Sequence, residues 1–426
     1  MGQTNIFVLG LDEENERVLN DVPNAVHYRF HRMLSVPEIQ HGEIPVEELL
    51  EKAQRELDDF DGEIGAVVGY WDFPVTTMVP ILCDRYGLPS ADLRAVVTCE
   101  HKYWSRLEQQ KVIEEYPAFD LVDLDDAKRP PDLKYPMWLK PVKSFSSELA
   151  YKVDDEAQFE DAVKKIKAGV DRVGKPFERI LQRVDLPPEI AKIGGRACLA
   201  EEAMTGQQAA TEGYVYNGEI TVYGALDSIN YAGTSSFLRH QYPSQLPEST
   251  VRRMTDVSER VIRQVGLNNS TFSVEFFCDE DSNDVGLLEI NARHSQSHAE
   301  LLEYVDGVPN HHCMVSLGLG RDPKLPKGEG PYAIAAKWYH RRFEDGVVRR
   351  IPTADEIERI ERDIPGISVS IVPEVGTRLS DMSAQDSYSY ELADVLVGAD
   401  SEGEMSEKFD KVVDALRFEF DDEEGA

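Results

Sequence analysis

The alternation of short apolar runs with amphipathic stretches over residues 1–100 constrains this chain more than any other feature. NIFVLGL reads as a buried strand, PVEELLEKAQRELDDF as an amphipathic helix and GAVVGY as a further strand; FPVTTMVPILCDRYGLP returns as a helix closed near Gly87. Strand–helix alternation of this kind predicts a small open parallel sheet with helices on its faces. Ligands of such sheets sit beyond the carboxyl ends of the strands, which puts Gly69, Tyr70, Trp71 and Asp72 at an expected mouth.

Beyond that unit the pattern changes. RPPDLKYP, from Arg129 to Pro136, is a breaker-rich segment that no helix crosses. YPMWLKPV follows as a strand and DEAQFEDAVKKIKAGVDRV as an amphipathic helix, then a strand pair is expected around ERILQRVD and ACLAEEAM. GYVYNGEITVYGALDSI reads as a hairpin turning at Asn217-Gly218, and PESTVRRMTDVSERVIRQVGL as a long helix ended by Gly266. FSVEFFCDEDSNDVGLLEINAR makes two strands around an acidic turn, and YAIAAKWYHRRF opens a last α+β unit. The expected class is therefore α/β and α+β, in units 1–100, 101–200, 201–330 and 331–426 of a chain long enough for several cores.

Composition narrows the partners. A formal charge of -34, with the acids spread along the whole chain, describes a solvated surface that is salt-adapted or simply very soluble, Arg outnumbering Lys leaning toward salt adaptation, and such a field repels nucleic acid and anionic membranes. The closing FEFDDEEGA resembles an acidic tail and is given no role. No run of some 18 apolar residues exists, and the N-terminus lacks the basic region of a signal peptide. Cys83, Cys99, Cys198, Cys278 and Cys313 are odd in number, scattered and without a CxxC pair, which points to buried thiols in a reducing cytoplasm.

The strongest chemical signal lies in the last strand pair. Glu289, Asn291 and Arg293 are two residues apart, so they share one face of a strand. If Glu275 lies opposite on the neighbouring strand, three oxygen ligands converge. Hard oxygen ligands in small number suit Mg²⁺, which takes its remaining ligands from water and nucleotide phosphates. Arg293 would then grip a phosphoryl oxygen. Lys140, near the end of an apolar strand, is followed by the serine-bearing stretch Lys143 to Ser147, whose hydroxyl and N–H groups suit phosphates. ACLAEEAMTGQ offers backbone groups and an apolar wall for a flat ring. His294 and His298 have i,i+4 spacing but no Glu beside the first, so HSQSH is not a zinc-protease motif; His311-His312 reads as a loop pair without a partner set.

Taken in order, Lys102, Lys140, Glu201-Glu202 and Glu275…Glu289-x-Asn291-x-Arg293 resemble the ATP-grasp superfamily over residues 1–320. GLPSADLRAVVTCEHKYWSRLEQQ looks like its entry segment, and E-I-N-A-R is similar to its E-[IVL]-N-x-R metal strand. The resemblance implies an N-terminal parallel-sheet domain, a two-lobed ATP-grasp domain and a small C-terminal unit, as in amino-acid and dipeptide ligases and biotin carboxylases. It implies ATP and Mg²⁺ as cofactors, small-molecule carboxylate and amine substrates, and a homodimer as a possible assembly. Lys102, Lys140, Ser144, Ser146, Ser147, Glu201, Glu202, Met204 and Gln208 would bind ATP; Glu275, Glu289 and Asn291 would hold the metal. Arg293 would stabilise the transferred phosphoryl group, with Arg239 near the γ-phosphate. Two departures stand out: the phosphate loop has no glycine, and Gly206 is followed by Gln207 and Gln208, with no acid to meet the ribose. The implied reaction is carboxylate–amine ligation; the alternatives are biotin-dependent carboxylation and a nucleotide-binding protein without turnover.

Overall fold

The computed structural model describes residues 2–145, 148–234, 236–279, 284–382 and 389–421. Its N-terminal unit contains β1 (Thr4–Leu9), β2 (Tyr28–Met33) and β3 (Ile64–Gly69), all parallel in the order β2-β1-β3. One face buries Phe7, Leu9 and Val67 against the helices Val46–Asp58 and Val75–Tyr86; the other buries Ile6, Val8 and Val68 against Met314 and Val315. A parallel sheet covered on both faces accounts for the unbroken apolar runs in its strands.

A smaller antiparallel sheet is built from β4 (Phe119–Val122), β5 (Met137–Pro141), β6 (Tyr151–Val153) and β7 (Cys198–Glu202), in the order β4-β7-β5-β6. The helix Glu156–Gly169 covers it through Phe159, Ala162, Val163 and Ile166. The expected strand at ERILQRVD is instead the end of a second helix, Asp171–Leu181. Val173, Phe177, Ile180 and Leu181 face inward at helical spacing. Pro176 lies inside this helix.

The remaining strands are β8 (Gln207–Tyr216), β9 (Glu219–Asn230), β10 (Phe237–Tyr242), β11 (Ser270–Cys278), β12 (Val285–Asn291), β13 (Ile334–Arg342), β14 (Val347–Arg350), β15 (Ile367–Ile371), β16 (Tyr390–Ala399) and β17 (Glu419–Asp421). The turn between β8 and β9 falls at Asn217 and Gly218, both at positive φ, as a type I′ hairpin requires. The helix Glu248–Val265 ends on left-handed Gly266. Eight strands form one sheet in the order β12-β11-β8-β9-β10-β13-β16-β15, while β14 pairs with β17 in a separate two-stranded sheet. The C-terminal unit thus shares a sheet with the preceding one, through β13 beside β10. Helices Leu93–Glu100 and Lys102–Gln109 follow the N-terminal unit, and Ala95, Val96 and Cys99 are buried in the same core as Val274, Phe276, Leu287 and Ile290. Residues 93–109 are therefore tied to the large sheet before the chain enters the small one. The acidic turn at 280–283 and the tail beyond Asp421 lie outside the described residues. All five cysteines are buried and free. Among the described residues no helix is long and apolar enough to cross a membrane.

Candidate active site

Between the small sheet and the large one lies a cleft of about 490 Å³, a size suited to a small-molecule ligand. Its floor is the strand pair β11–β12. In the antiparallel register Glu275 stands directly opposite Glu289, and Ser273 opposite Asn291. Asn291 Nδ2 donates to Glu275 Oε1 at 2.9 Å, so the amide oxygen remains for another partner. Burial, followed by the charge of Glu289, pushes the Glu275 carboxyl up to about 7. Burial also works against ionisation of Glu289, but Lys102 and then Lys140 outweigh it and hold that carboxyl below its usual range.

The cations above this floor are each placed by a different element. Lys102 opens the helix Lys102–Gln109, whose His101 cap accepts from Trp104 N; its own N–H donates to Val142 O at 2.8 Å, fastening the helix start to the end of β5. Its ammonium contacts Glu289 and donates to Ser144 O at 3.2 Å. Lys140, on β5, sits 2.5 Å from Glu201 Oε2, and the Lys143 ammonium contacts Glu100. Arg293 continues the β12 face and is clamped by Asp72, with Nε to Oδ1 at 2.9 Å and Nη2 to Oδ2 at 2.7 Å. Asp72 comes from the expected mouth beyond β3, 221 positions away in sequence.

Glu201, expected at the adenine, lines the cleft and is held by two cations. Both its oxygens are engaged, Oε1 by Arg106 Nε at 2.6 Å and Oε2 by Lys140, and it is only 3% exposed. Burial opposes its ionisation, yet Arg106 and Lys140 bring its carboxyl down to about 2. It is the fixed counter-ion of Lys140. Glu202, Met204, Gln208 and Ser144 line the cleft. Ser146 and Ser147 lie outside the described residues.

Arg239 is not brought to the site. It donates from Nε to Gln241 Oε1 at 2.7 Å and from Nη2 to Glu402 Oε1 at 2.7 Å, and lies over the Trp338 ring. The next residue on β10, His240, points to the opposite face and lines the cleft instead. His311 is no loop residue either: it opens the helix His311–Gly318, fully buried, between Asn15 and His294. Sequence reasoning passed over Arg106, Glu100, His240 and the cleft role of Lys143; only Lys143, inside the phosphate-loop stretch, carried a readable signal.

Gly206 joins β7 to β8 at φ 118, a conformation that L side chains rarely adopt, and a Cβ there would stand 2.3 Å from the Cys278 carbonyl oxygen. Gly206→Ala is expected to cost about 2 kcal/mol and to weaken nucleotide binding by displacing Met204 and Gln208. Denaturant unfolding and ATP titration read the two effects.

The donor set fits a divalent cation only in part by itself. Among the described residues no three His, Cys, Asp or Glu side chains gather as a metal cluster; the floor offers two facing carboxylates and an amide. Such a set is completed by phosphate oxygens and water, in keeping with Mg²⁺. The repulsion that raises the Glu275 carboxyl is what a dication would relieve.

Residues 133–299 match the family model described as an ATP-grasp domain. A search of curated proteins finds no match. Among solved structures, the fold is similar to an L-amino acid ligase from Bacillus licheniformis, at 16% identity and a TM-score of 0.78 over 99% of this chain and 100% of that one. It is also similar to phosphoribosylglycinamide synthetase from Anaerococcus prevotii, at 14% identity and a TM-score of 0.65 over 98% and 100% of the two chains. Biotin carboxylase from Campylobacter jejuni follows at 14% identity and 0.62, over 98% and 92%.

Proposed function

We propose, from the premise that residues 133–299 are an ATP-grasp domain, that this chain is an ATP-dependent ligase: it activates a small carboxylate as an acyl-phosphate and couples it to an amine, releasing ADP and phosphate. The observation that carries this reading is the registered pair Glu275–Glu289 lying in one cleft with Lys102, Lys140, Lys143 and Arg293. Five carboxylates (Asp72, Glu100, Glu201, Glu275, Glu289) accompany these four cations, so the lysines are held in place before any phosphate arrives. Preorganised charge of this kind stabilises phosphoryl transfer without a protein nucleophile.

Glu275, Glu289 and Asn291 would hold Mg²⁺, which supplies charge neutralisation at the phosphates. Lys102, Lys140 and Lys143 bind phosphate oxygens, with Glu201 and Glu100 fixing two of them from behind. Arg293, its guanidinium clamped by Asp72, meets the charge that develops as the substrate carboxylate attacks the terminal phosphorus in line. Glu202, Met204 and Gln208 lie at the base end. Phe145 and Ala150 wall the cleft beside the phosphate loop and help to exclude the water that would hydrolyse an acyl-phosphate.

The similarity to an L-amino acid ligase favours amino acids as both acid and amine. The test supplies ATP, MgCl₂ and the proteinogenic amino acids, singly and in pairs, and measures phosphate release. Release that requires an amino acid is the expected result. Release that requires bicarbonate and biotin instead replaces ligation by carboxylation, and ATP binding with no release under any mixture overturns the enzymatic reading.

A further inference from the structure

Amide formation requires the incoming ammonium group to lose two protons, and none of the phosphate-binding groups described above is placed to take the first. Resting on the ligase reading, we propose that His298 is the general base that deprotonates the amine, and that Glu212 is the residue that positions it. His298 closes the short 3₁₀ turn Gln296–His298 that follows β12, and it lines the cleft with Ser228, Phe237, His240, Ser295 and Ser297.

Its Nδ1 lies 2.8 Å from Glu212 Oε1. Glu212, on β8, is fully buried and receives three more hydrogen bonds: Ser295 N at 3.0 Å, the Tyr223 hydroxyl at 2.7 Å and Asn310 Nδ2 at 3.1 Å. A carboxylate surrounded by donors is an acceptor throughout. Burial opposes its charge, but His298 heads the groups that hold its carboxyl down, to about 2. In its neutral form the imidazole carries its proton on Nδ1, facing Glu212, which leaves the Nε2 lone pair across the ring.

His240, which also lines the cleft, bonds the Ser228 hydroxyl through Nδ1 at 2.8 Å and has no carboxylate behind its ring, and the two other histidines nearby are engaged on both sides. His294 is engaged at both nitrogens, by Thr271 and by His311, and His311 is engaged by Asn15, Asn310 and His294. Among the described residues Nε2 of His298 has no hydrogen-bond partner. Glu212 does not need His298 to be satisfied, since three other donors serve it. The groups that set the electrostatics here are Glu212 on β8, His240 on β10 with its ring centre 5.1 Å away, His294 on the preceding turn, and Lys337 and Arg341 on β13, which act on His240.

The step balances as follows. Nε2 takes one proton from R–NH₃⁺; the freed amine nitrogen attacks the acyl-phosphate carbonyl carbon, forming the C–N bond. The C–O bond to phosphorus breaks with its electron pair, and the departing phosphate takes the second nitrogen proton. His298 then returns its proton to solvent. Removing a positioned base costs on the order of 100-fold or more in the step it serves.

The experiment compares amide with hydroxamate. Hydroxylamine is neutral near pH 7 and attacks an acyl-phosphate without a base, so it reports the first half-reaction. Wild type and His298→Gln are each given ATP, MgCl₂ and a proteinogenic amino acid, with either a second amino acid or hydroxylamine as acceptor. The expected result is an amide-to-hydroxamate ratio about 100-fold lower in His298→Gln. Parallel loss of both products, or an unchanged ratio, overturns the proposal. Absence of hydroxamate from wild type with every amino acid overturns the ligase reading itself, and this inference with it. Glu212→Gln should reduce kcat for the amide step with little change in amine KM; because it alters a buried network, the ratio measured in folded His298→Gln decides.

Discussion

Glu289→Ala is expected to lower ATP turnover on the order of 1000-fold while leaving the melting transition near that of the wild type. The side chain is removed from the point where three demands meet. It faces Glu275 across the strand pair, it contacts the Lys102 ammonium and, on the proposed function, it would supply one of two carboxylates to a divalent cation. Its effects on stability oppose one another. Lys102 loses its main counter-ion and keeps the Ser144 carbonyl at 3.2 Å and the more distant charges of Glu100 and Glu201, which destabilises. Glu275 loses the like charge that pushes its carboxyl up, which stabilises. The chemistry has no such compensation, because a single carboxylate and an amide hold a dication poorly. Asn291→Ala should follow the same pattern, with the added loss of the 2.9 Å hydrogen bond to Glu275. Phosphate release and thermal melting check both variants. Turnover within tenfold of wild type in Glu289→Ala would remove the strand pair from the reaction.

How much of this was legible in the sequence follows the range of the contacts involved. The spacing of Glu289, Asn291 and Arg293 is a local property of one strand, and alternation alone puts the three on one face; the hairpin at Asn217-Gly218 and the helix stop at Gly266 are equally local. The register that sets Glu275 against Glu289 depends on the strands' pairing, which the sequence suggested but did not fix. Arg239 shows the limit of alternation: it says that Arg239 and His240 face opposite ways, not which of them meets the cleft, and the sheet neighbours β9 and β13 decide in favour of His240. The clamp of Arg293 by Asp72 spans 221 positions and joins a loop of the parallel sheet to the far end of another sheet, so no local pattern carries it. The C-terminal unit reads as separate because its strand pattern restarts near residue 331, yet β13 pairs edge to edge with β10. Composition described the solvent-facing acids and was silent on the cluster of lysines, since the buried ion pairs add almost nothing to a net charge of -34.

The second large effect belongs to a residue that touches no phosphate. Arg106→Ala is expected to destabilise the fold by about 3–5 kcal/mol, the usual consequence of breaking a buried ion pair from one side. Arg106 is 2% exposed and binds in four directions: Glu201 Oε1 at 2.6 Å, Gln109 Oε1 at 2.5 Å, and the carbonyl oxygens of Leu287 and Leu288 at 3.0 and 2.7 Å. It thereby joins the helix Lys102–Gln109, the small-sheet strand β7 and the strand β12 of the large sheet. Alanine leaves Glu201 with Lys140 alone and two strand carbonyls without this donor. Arg106→Lys should recover only part of the loss, because an ammonium lacks the planar fork that reaches carboxylate and carbonyls together. The pH dependence supplies an independent readout. The Glu201 carboxyl sits at about 2 in the folded protein against an ordinary 4.5, so its contribution to stability is complete above about pH 4.5 and is lost as pH falls toward 2. In Arg106→Ala the largest attraction holding that carboxyl down is gone, and the same acid limb should flatten. Denaturant unfolding between pH 3 and 7 measures it, and an unchanged limb in the variant would mean that Lys140, not Arg106, keeps Glu201 charged.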